Sequence, residues 1–187
     1  MDKIVLDIET SNTFADVGGD RNLGALNVSL IGAYSYNADS YIAFTEHEIA
    51  AFEPFLKRAG LVIGFAINRF DLPVLAKHYP FDLMKLPRLD LLEEIEFTVG
   101  HRVSLNSLAK ANLGVEKTHH GLEAPQLYAA GNIEELKNYC LNDVKITKDL
   151  YELWKKQGFL LVPDRDTGDV VKAPLKWEDT ALLPTLF

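Results

Sequence analysis

The 187-residue sequence contains one cysteine, Cys140, and no apolar run of the roughly 18 residues that a membrane-spanning helix needs. A single cysteine excludes an intramolecular disulfide framework and any metal site built from several cysteines. Cys140 is therefore expected to be a small buried residue on a helix. Charged residues among the first nine positions leave no apolar segment for a signal peptide. Together these absences predict a cytoplasmic protein.

Positive charge is also scarce, since 19 Lys and Arg residues face 27 Asp and Glu residues and the formal net charge is −8. This balance disfavours a protein that binds nucleic-acid phosphates through a basic surface. It does not exclude an enzyme that holds its substrate through divalent cations, because the metal then supplies the positive charge. Hydrophobic residues make up 48% of the chain, which is ordinary for a globular domain with a sizeable core.

Hydrophobic periodicity divides most of the chain into strands and helices. The predicted strands are 3–8, 28–36, 40–45, 61–66 and 86–91, and the predicted helices are 48–58, 71–79, 104–112, 123–130 and 132–157. Turn-forming residues join the second and third strands, which predicts an antiparallel meander. The later alternation of strands and helices predicts a mixed α/β sheet flanked by helices.

The end of the sequence has a different pattern. Two short apolar segments, 159–163 and 170–173, flank Asp166-Thr167-Gly168, which predicts a β-hairpin. We expect one domain over 1–157, with 158–187 as a hairpin and tail packed on that domain. Docking of the apolar tail on a protein partner is the alternative.

Asp7 and Glu9 lie at the end of the first predicted strand. Alternate residues of a strand project to the same face, so the two carboxylates point the same way. A cation between them would relieve their repulsion, and ligands that are all oxygen favour hard ions such as Mg²⁺ or Mn²⁺. A solvated strand end or a pairing with arginine is the alternative, and the Asp-x-Glu pattern alone does not decide.

Asp143 lies on the apolar face of the long predicted helix, close in angle to Leu136 and Leu150. A carboxylate in the middle of a core-facing stripe needs a partner inside the protein. A metal ion, a buried hydrogen bond or an interior arginine would serve. Tyr139 lies one turn earlier on the same face, where its hydroxyl could orient a water beside Asp143. Plain core packing is the alternative for Tyr139.

Asn68 and Asp71 follow the apolar run 61–66, and loops after strands commonly carry the residues of functional sites. Asp71 also suits the start of a short helix, as an N-cap or as a favourable negative charge, with Pro73 in the first turn. The pattern leaves both roles open.

Together these blocks resemble the DnaQ-like, or DEDD, 3′→5′ exonuclease superfamily. The segments similar to its three motifs are Asp7-Ile8-Glu9-Thr10, Asn68-Arg69-Phe70-Asp71 and Tyr139-Cys140-Leu141-Asn142-Asp143. A tyrosine four residues before the last aspartate is typical of the DEDDy branch. The sister branch has a histidine five residues before it, where this chain has Asn138. The resemblance spans residues 4 to about 155.

The resemblance implies a ribonuclease H-like fold and two divalent cations, Mg²⁺ or Mn²⁺, held by Asp7, Glu9, Asp71 and Asp143. It implies that Asp7 bridges both ions. Glu9 and Asp143 would hold the ion that activates water, while Asp71 would act mainly through the second ion and Tyr139 would position the water. The expected reaction releases nucleoside monophosphates from the 3′ end of single-stranded DNA or RNA.

The same resemblance suggests which residues contact the substrate. Thr10 would offer its backbone N–H to the terminal 3′-hydroxyl, and Asn68 belongs to the second motif. Phe14 and Phe70 could stack on a base, because aromatic stacking tolerates any sequence. Core packing is an equal alternative for Phe14 and is favoured for Phe70.

Asp90, at a strand end, is expected to be structural or solvated, with an acid that supports the metal ligands as the alternative. The adjacent His119 and His120 in a polar loop are expected to be solvated, with binding of a metal or a phosphate as the alternative. Three other functions compete with an exonuclease. The first is a catalytically inactive nuclease fold that binds nucleic acid or a protein partner, which the intact set of acids disfavours. The second is an endonuclease on a related fold, which would order its acids differently. The third is a phosphatase, which gives no reason for the Tyr-x-x-x-Asp helix.

Overall fold

Strands at the centre of the molecule form one mixed sheet. A computed structural model describes residues 1–115, 123–164 and 167–174. The strands of the main sheet are β1 (Asp2–Thr10), β2 (Val28–Ser35), β3 (Ser40–Thr45), β4 (Ala59–Gly64) and β5 (Arg88–Asp90). Their order is β3–β2–β1–β4–β5. The first three form an antiparallel meander, whereas β1, β4 and β5 are parallel, so the predicted mixed sheet is confirmed.

Helices flank the sheet in the part of the chain that the structure describes. They are α1 (Glu53–Arg58), α2 (Asp71–Leu75), α3 (Leu91–Val99), α4 (Leu105–Leu113), α5 (Glu123–Ala129) and α6 (Ile133–Gln157), with 3₁₀ turns at Leu23–Ala25, Glu46–Phe52, Ala76–His78 and Leu83–Lys85. The sequence patterns do not predict α3. The helix predicted over 48–58 is a 3₁₀ turn followed by α1, which begins next to Pro54.

Alternate residues of β1 face two hydrophobic clusters on opposite sides of the sheet. On one side Val5 packs with Tyr34 of β2, Ile63 of β4 and buried residues of α3, α4 and α6. On the other side Ile4 and Leu6 pack against α1 and α2. The odd-numbered residues at the end of β1 therefore project towards α6.

Helix α6 is amphipathic, as predicted, and its buried face includes an aspartate. The buried residues are Leu136, Tyr139, Cys140, Asp143, Val144, Ile146, Thr147, Leu150, Tyr151 and Trp154. Asn132 occupies the N-cap position of α6, but its side chain makes no capping hydrogen bond. Gly158 ends the helix with a φ of +79°, a left-handed conformation that glycine adopts without steric cost.

A hairpin of β6 (Phe159–Pro163) and β7 (Val170–Pro174) follows α6. Its buried residues Leu160, Val162 and Ala173 join the cluster that contains Val5. Asp166 of the predicted turn, His119 and His120, and the tail from 175 to 187 lie outside the described residues. Within the described ranges, no helix is long and apolar enough to cross a membrane.

Candidate active site

Asp7 and Glu9 lie on the last part of β1, on the face that α6 covers. In the antiparallel register Asp7 is opposite Gly32 and Glu9 is opposite Leu30 of β2. Both acidic side chains are half-buried, and a carboxylate oxygen of each lies within 4.8 Å of the other. The strand thus brings two negative charges together where solvent still reaches them.

Cys140 marks the point where α6 meets these two acids. Its Sγ lies 3.4 Å from Oδ2 of Asp7 and 3.6 Å from the backbone oxygen of Asp7. The pKa of the Cys140 thiol is raised well above its usual value, first by burial and then by the negative charges of Asp7, Glu9 and Asp143. Three carboxylates therefore lie close to one thiol.

Asp143 and Tyr139 share the buried face of α6, and each is only 5% exposed. Asp143 follows Cys140 by three residues, so the two side chains are neighbours on the helix surface. The structure brings Asp7, Glu9 and Asp143 together at the junction of β1 and α6, and we call these three carboxylates the acidic cluster. Tyr139 lies one helical turn from Asp143.

Gly32 explains how α6 approaches the sheet so closely. A Cβ at this position would lie 2.6 Å from Sγ of Cys140 and 3.2 Å from Cγ2 of Val144, which leaves no room for any side chain. Since Gly32 is opposite Asp7, its missing side chain lets Cys140 reach Asp7. Gly32 is not among the site residues predicted from the sequence, although a glycine inside a predicted apolar strand indicates close backbone approach.

Asp71, the first residue of α2, reaches β1 from the loop that follows β4. Its buried carboxylate accepts a hydrogen bond from the backbone N–H of Ile8, with Oδ1 3.0 Å from the nitrogen. Ile8 separates Asp7 from Glu9, so Asp71 is anchored beside the acidic cluster. Burial raises the pKa of Asp71 to about 7, although the hydrogen bonds that its carboxylate accepts lower it.

Asp90 holds the loop that carries Asp71. Its buried carboxylate accepts hydrogen bonds from four backbone N–H groups, those of Ala66 at 2.9 Å, Asn68 at 3.0 Å, Leu92 at 3.0 Å and Glu93 at 3.3 Å. The bonds from Leu92 and Glu93 cap the start of α3. The bonds from Ala66 and Asn68 hold a turn in which Ala66 has a φ of +65°. The expected structural role is confirmed, and the alternative of a solvated side chain is wrong.

The side chain of Asn68 also helps to hold the loop that carries Asp71. Its amide nitrogen donates to Oε2 of Glu93 at 2.6 Å, and its amide oxygen accepts from Nε of Arg88 at 2.5 Å. These contacts hold the loop ahead of Asp71. The contact of Asn68 with substrate stays a prediction.

An apolar cavity of about 340 Å³ opens beside Glu9. Its walls include Thr10 and Phe14, both predicted to contact substrate, together with Phe70 and with Pro125 of α5. Phe14 is 43% exposed and makes an edge-to-face contact with Phe70, with ring centroids 5.9 Å apart. The cavity thus joins an aromatic wall to one residue of the acidic cluster.

The acidic cluster suits divalent cations by its chemistry. Carboxylates that converge in a partly buried place repel each other, and a cation between them offsets that repulsion. The oxygen atoms of Asp7 and Glu9 are close enough to share an ion, and Mg²⁺ and Mn²⁺ prefer such oxygen ligands. The residues present therefore fit a metal-binding role.

A mixed sheet of this order, with acids converging between its central strand and a long helix, defines an α/β domain of the nuclease type. The chain matches the RNase H superfamily over residues 4–155, and it belongs to that superfamily. The matched region runs from β1 almost to the end of α6 and includes the acidic cluster, Asp71 and Tyr139. No significant match to a curated protein was found.

Proposed function

We propose that the protein is a metal-dependent 3′→5′ exonuclease of the DEDDy type that acts on single-stranded DNA or RNA. The observation that supports this most is the convergence of Asp7, Glu9 and Asp143 around Cys140 at one point of the β1–α6 junction. Membership of the RNase H superfamily supports nuclease chemistry at that point.

Each acid has a separate part in the proposed site. The acidic cluster and Asp71 would hold two ions of Mg²⁺ or Mn²⁺, which when bound supply a water of lowered pKa and positive charge for the leaving oxygen. Asp71 also fixes the strand between Asp7 and Glu9 through its hydrogen bond with the Ile8 amide. Tyr139, one turn from Asp143, orients the attacking water.

The cavity beside Glu9 supports the removal of single terminal nucleotides. Its volume lies within the range of small-molecule sites, and its aromatic wall suits stacking on a base of any identity. Phe14 stacks on the last base, while the backbone N–H of Thr10 donates a hydrogen bond to the 3′-hydroxyl. The last phosphodiester then lies beside Glu9, and the product is a nucleoside monophosphate.

Degradation of end-labelled oligonucleotides tests this function. Single-stranded DNA and RNA labelled at the 3′ end should lose the label as a mononucleotide with Mg²⁺ or Mn²⁺ and not with a chelator. The same strands labelled at the 5′ end should shorten stepwise. Asp7→Ala and Asp143→Ala should abolish both results. Glu134→Ala, which removes an exposed acid from the first turn of α6, is the matched control.

Two other outcomes would each select a different function. Internal fragments as the first products would show an endonuclease. Strands that stay intact with either metal, although the protein retains them in a binding assay, would show the inactive nuclease-fold module. The net charge of −8 makes the second outcome the less expected one, because a binding module without metals needs a basic surface.

A further inference from the structure

One wall of the cavity beside Glu9 comes from residues 23–27, which precede β2 and which we call the wall segment. It consists of the 3₁₀ turn Leu23–Ala25 and the two residues that follow it. Leu26 lines the cavity and is 1% exposed. A segment between strands is held by fewer backbone bonds than a strand is, so the side chains that bond to it decide where this wall lies.

Asn12 joins the wall segment to the chain that leaves β1. Its amide nitrogen donates to the backbone oxygen of Ala25 at 3.1 Å, and its amide oxygen accepts from the backbone N–H of Asn27 at 2.8 Å. The backbone N–H of Ser11 donates to the backbone oxygen of Asn27 at 2.8 Å. Asn12 also lines the cavity, so one side chain connects two of the cavity walls.

Lys77 holds the wall segment from a different element. It lies in the 3₁₀ turn Ala76–His78, which directly follows α2. Its Nζ donates to the backbone oxygen of Gly24 at 3.0 Å and to that of Leu26 at 2.5 Å. Charged donors form stronger hydrogen bonds than neutral donors do, so this exposed side chain fixes two carbonyl groups of the wall segment.

The stretch of chain that carries Lys77 also carries one of the proposed metal ligands. Helix α2 begins at Asp71, whose carboxylate accepts from the backbone N–H of Ile8 beside the acidic cluster. Lys77 lies in the turn that follows the same helix. The distance between the acidic cluster and the cavity wall therefore depends on the two hydrogen bonds of Lys77.

We propose that Asn12 and Lys77 are positioning residues for the terminal nucleotide. They hold the wall segment where a base can stack on Phe14 while its phosphate reaches Glu9. Their hydrogen bonds go to the wall segment and not to the reacting phosphate, so they govern substrate affinity more than the chemical step. This inference rests on the proposed function, because that function makes the cavity the site of the terminal nucleotide.

Steady-state kinetics on single-stranded oligonucleotides tests this role. Lys77→Met keeps the length of the side chain and removes its donors, and KM should rise about fivefold, the lower end of what the loss of one stacked base causes. Asn12→Ala should have a similar effect. The kcat and the Mn²⁺ concentration at half-maximal activity should stay close to the wild-type values, because the acidic cluster does not move.

Two further variants of lysine complete the kinetic test. Lys77→Arg keeps a charged donor group and should restore most of the affinity. Lys156→Met removes an exposed lysine from the last turn of α6 and is the matched control, with circular dichroism showing that each variant is folded. An unchanged KM in folded Lys77→Met or Asn12→Ala overturns the role of that residue. A matching rise in the Mn²⁺ requirement also overturns it, since the acidic cluster would then have moved.

Calorimetric titration with adenosine 5′-monophosphate in Mn²⁺ separates this inference from the proposed function, because binding needs no cleavage. If the wild type leaves strands intact but binds the nucleotide, and Lys77→Met weakens that binding as expected for KM, only the exonuclease is refuted. Binding that Lys77→Met and Asn12→Ala leave unchanged overturns the positioning role. A folded wild type that neither cleaves strands nor binds the nucleotide refutes both.

Discussion

Asp90 and the acidic cluster are buried or half-buried carboxylates whose oxygen atoms have different partners. The carboxylate of Asp90 accepts four hydrogen bonds from backbone N–H groups. In the acidic cluster, Asp7 instead accepts from the thiol of Cys140, and its carboxylate lies close to that of Glu9. Asp71 shares features with both, because it accepts a backbone hydrogen bond, as Asp90 does, and lies next to the acidic cluster.

Burial alone does not mark a functional carboxylate in this protein. Asp90 and Asp143 are buried to nearly the same degree, at 3% and 5% exposed. Burial raises the pKa of Asp90, and the backbone donors around it offset part of this rise and satisfy its oxygen atoms within the folded chain. Convergence of like charges, as in the acidic cluster, is what indicates an external cation.

The largest difference should appear between Asp7→Asn and Asp90→Asn. Asp7→Asn keeps the size of the side chain and removes one of the converging charges. It should lower nuclease activity by about three orders of magnitude or more and leave the thermal midpoint equal to or above that of the wild type. Asp90→Asn should instead lower the free energy of unfolding by about 3 kcal/mol, because an amide cannot accept all four backbone bonds.

Thermal unfolding and end-label assays on the same preparations measure both quantities. A fall in the midpoint of Asp7→Asn as large as that of Asp90→Asn would show that Asp7 is a structural residue. The contrast between the two groups of carboxylates would then have no functional meaning.

The next largest effect should follow from Gly32→Ala. The added Cβ would lie 2.6 Å from Sγ of Cys140 and 3.2 Å from Cγ2 of Val144, so the side chains of α6, or the helix itself, must shift away from β1 beside the acidic cluster. We expect a loss of about 1–3 kcal/mol in stability and a rise in the Mn²⁺ concentration needed for activity. Gly24→Ala is the matched control, because no atom lies within 4 Å of a Cβ at Gly24.

A double variant that combines Gly32→Ala with Cys140→Ala removes the sulfur atom with which the added Cβ collides. In the double variant the stability lost through Gly32→Ala should be at least partly restored. If it is not restored, the close approach of Gly32 and Cys140 is not what sets the distance between α6 and β1.

Local sequence patterns were sufficient to predict the sheet and the directions of three acidic side chains, whereas the meeting of Asp7, Glu9 and Asp143 was implied only by the family resemblance. Alternation along β1 places Asp7 and Glu9 on one face, and the helical period of α6 turns Asp143 inward, because both depend only on regular backbone geometry. The strands of the meander and the hairpin after α6 were predicted within a few residues of their observed bounds for the same reason.

Features that depend on contacts distant in sequence were not predicted. Asp90 is 22 to 24 residues from two of the amides that it bonds, and the thiol of Cys140 meets Asp7 across 133 residues. A pattern within one segment carries no information on such partners.

A smaller effect, on substrate affinity, is expected from Phe14→Ala. Phe14 lines the cavity beside Glu9, and loss of one stacked base costs about 1–3 kcal/mol, or roughly 5-fold to 150-fold in KM. The kcat should change less than KM. Phe97, which is 94% exposed, provides the control variant Phe97→Ala. Equal KM values for the two variants would mean that the cavity does not bind the terminal nucleotide.

Asp71 should also make the stability of the protein depend on pH. Its folded pKa of about 7 lies above the unfolded value of about 3.9, so the folded state binds the proton more tightly. In a chelator, the thermal midpoint of the wild type relative to Asp71→Asn should therefore be highest below about pH 4 and fall as the pH rises towards 7. Asn keeps an oxygen to accept from Ile8, which makes it a matched reference.

Adding Mn²⁺ then decides to which group of carboxylates Asp71 belongs. A cation beside Asp71 stabilises its ionised form, so Mn²⁺ should remove the decline between pH 4 and 7 in the wild type and leave Asp71→Asn unchanged. A decline that persists in Mn²⁺ would place Asp71 with Asp90, as a carboxylate that supports the fold. The proposed metal site would then consist of the acidic cluster alone.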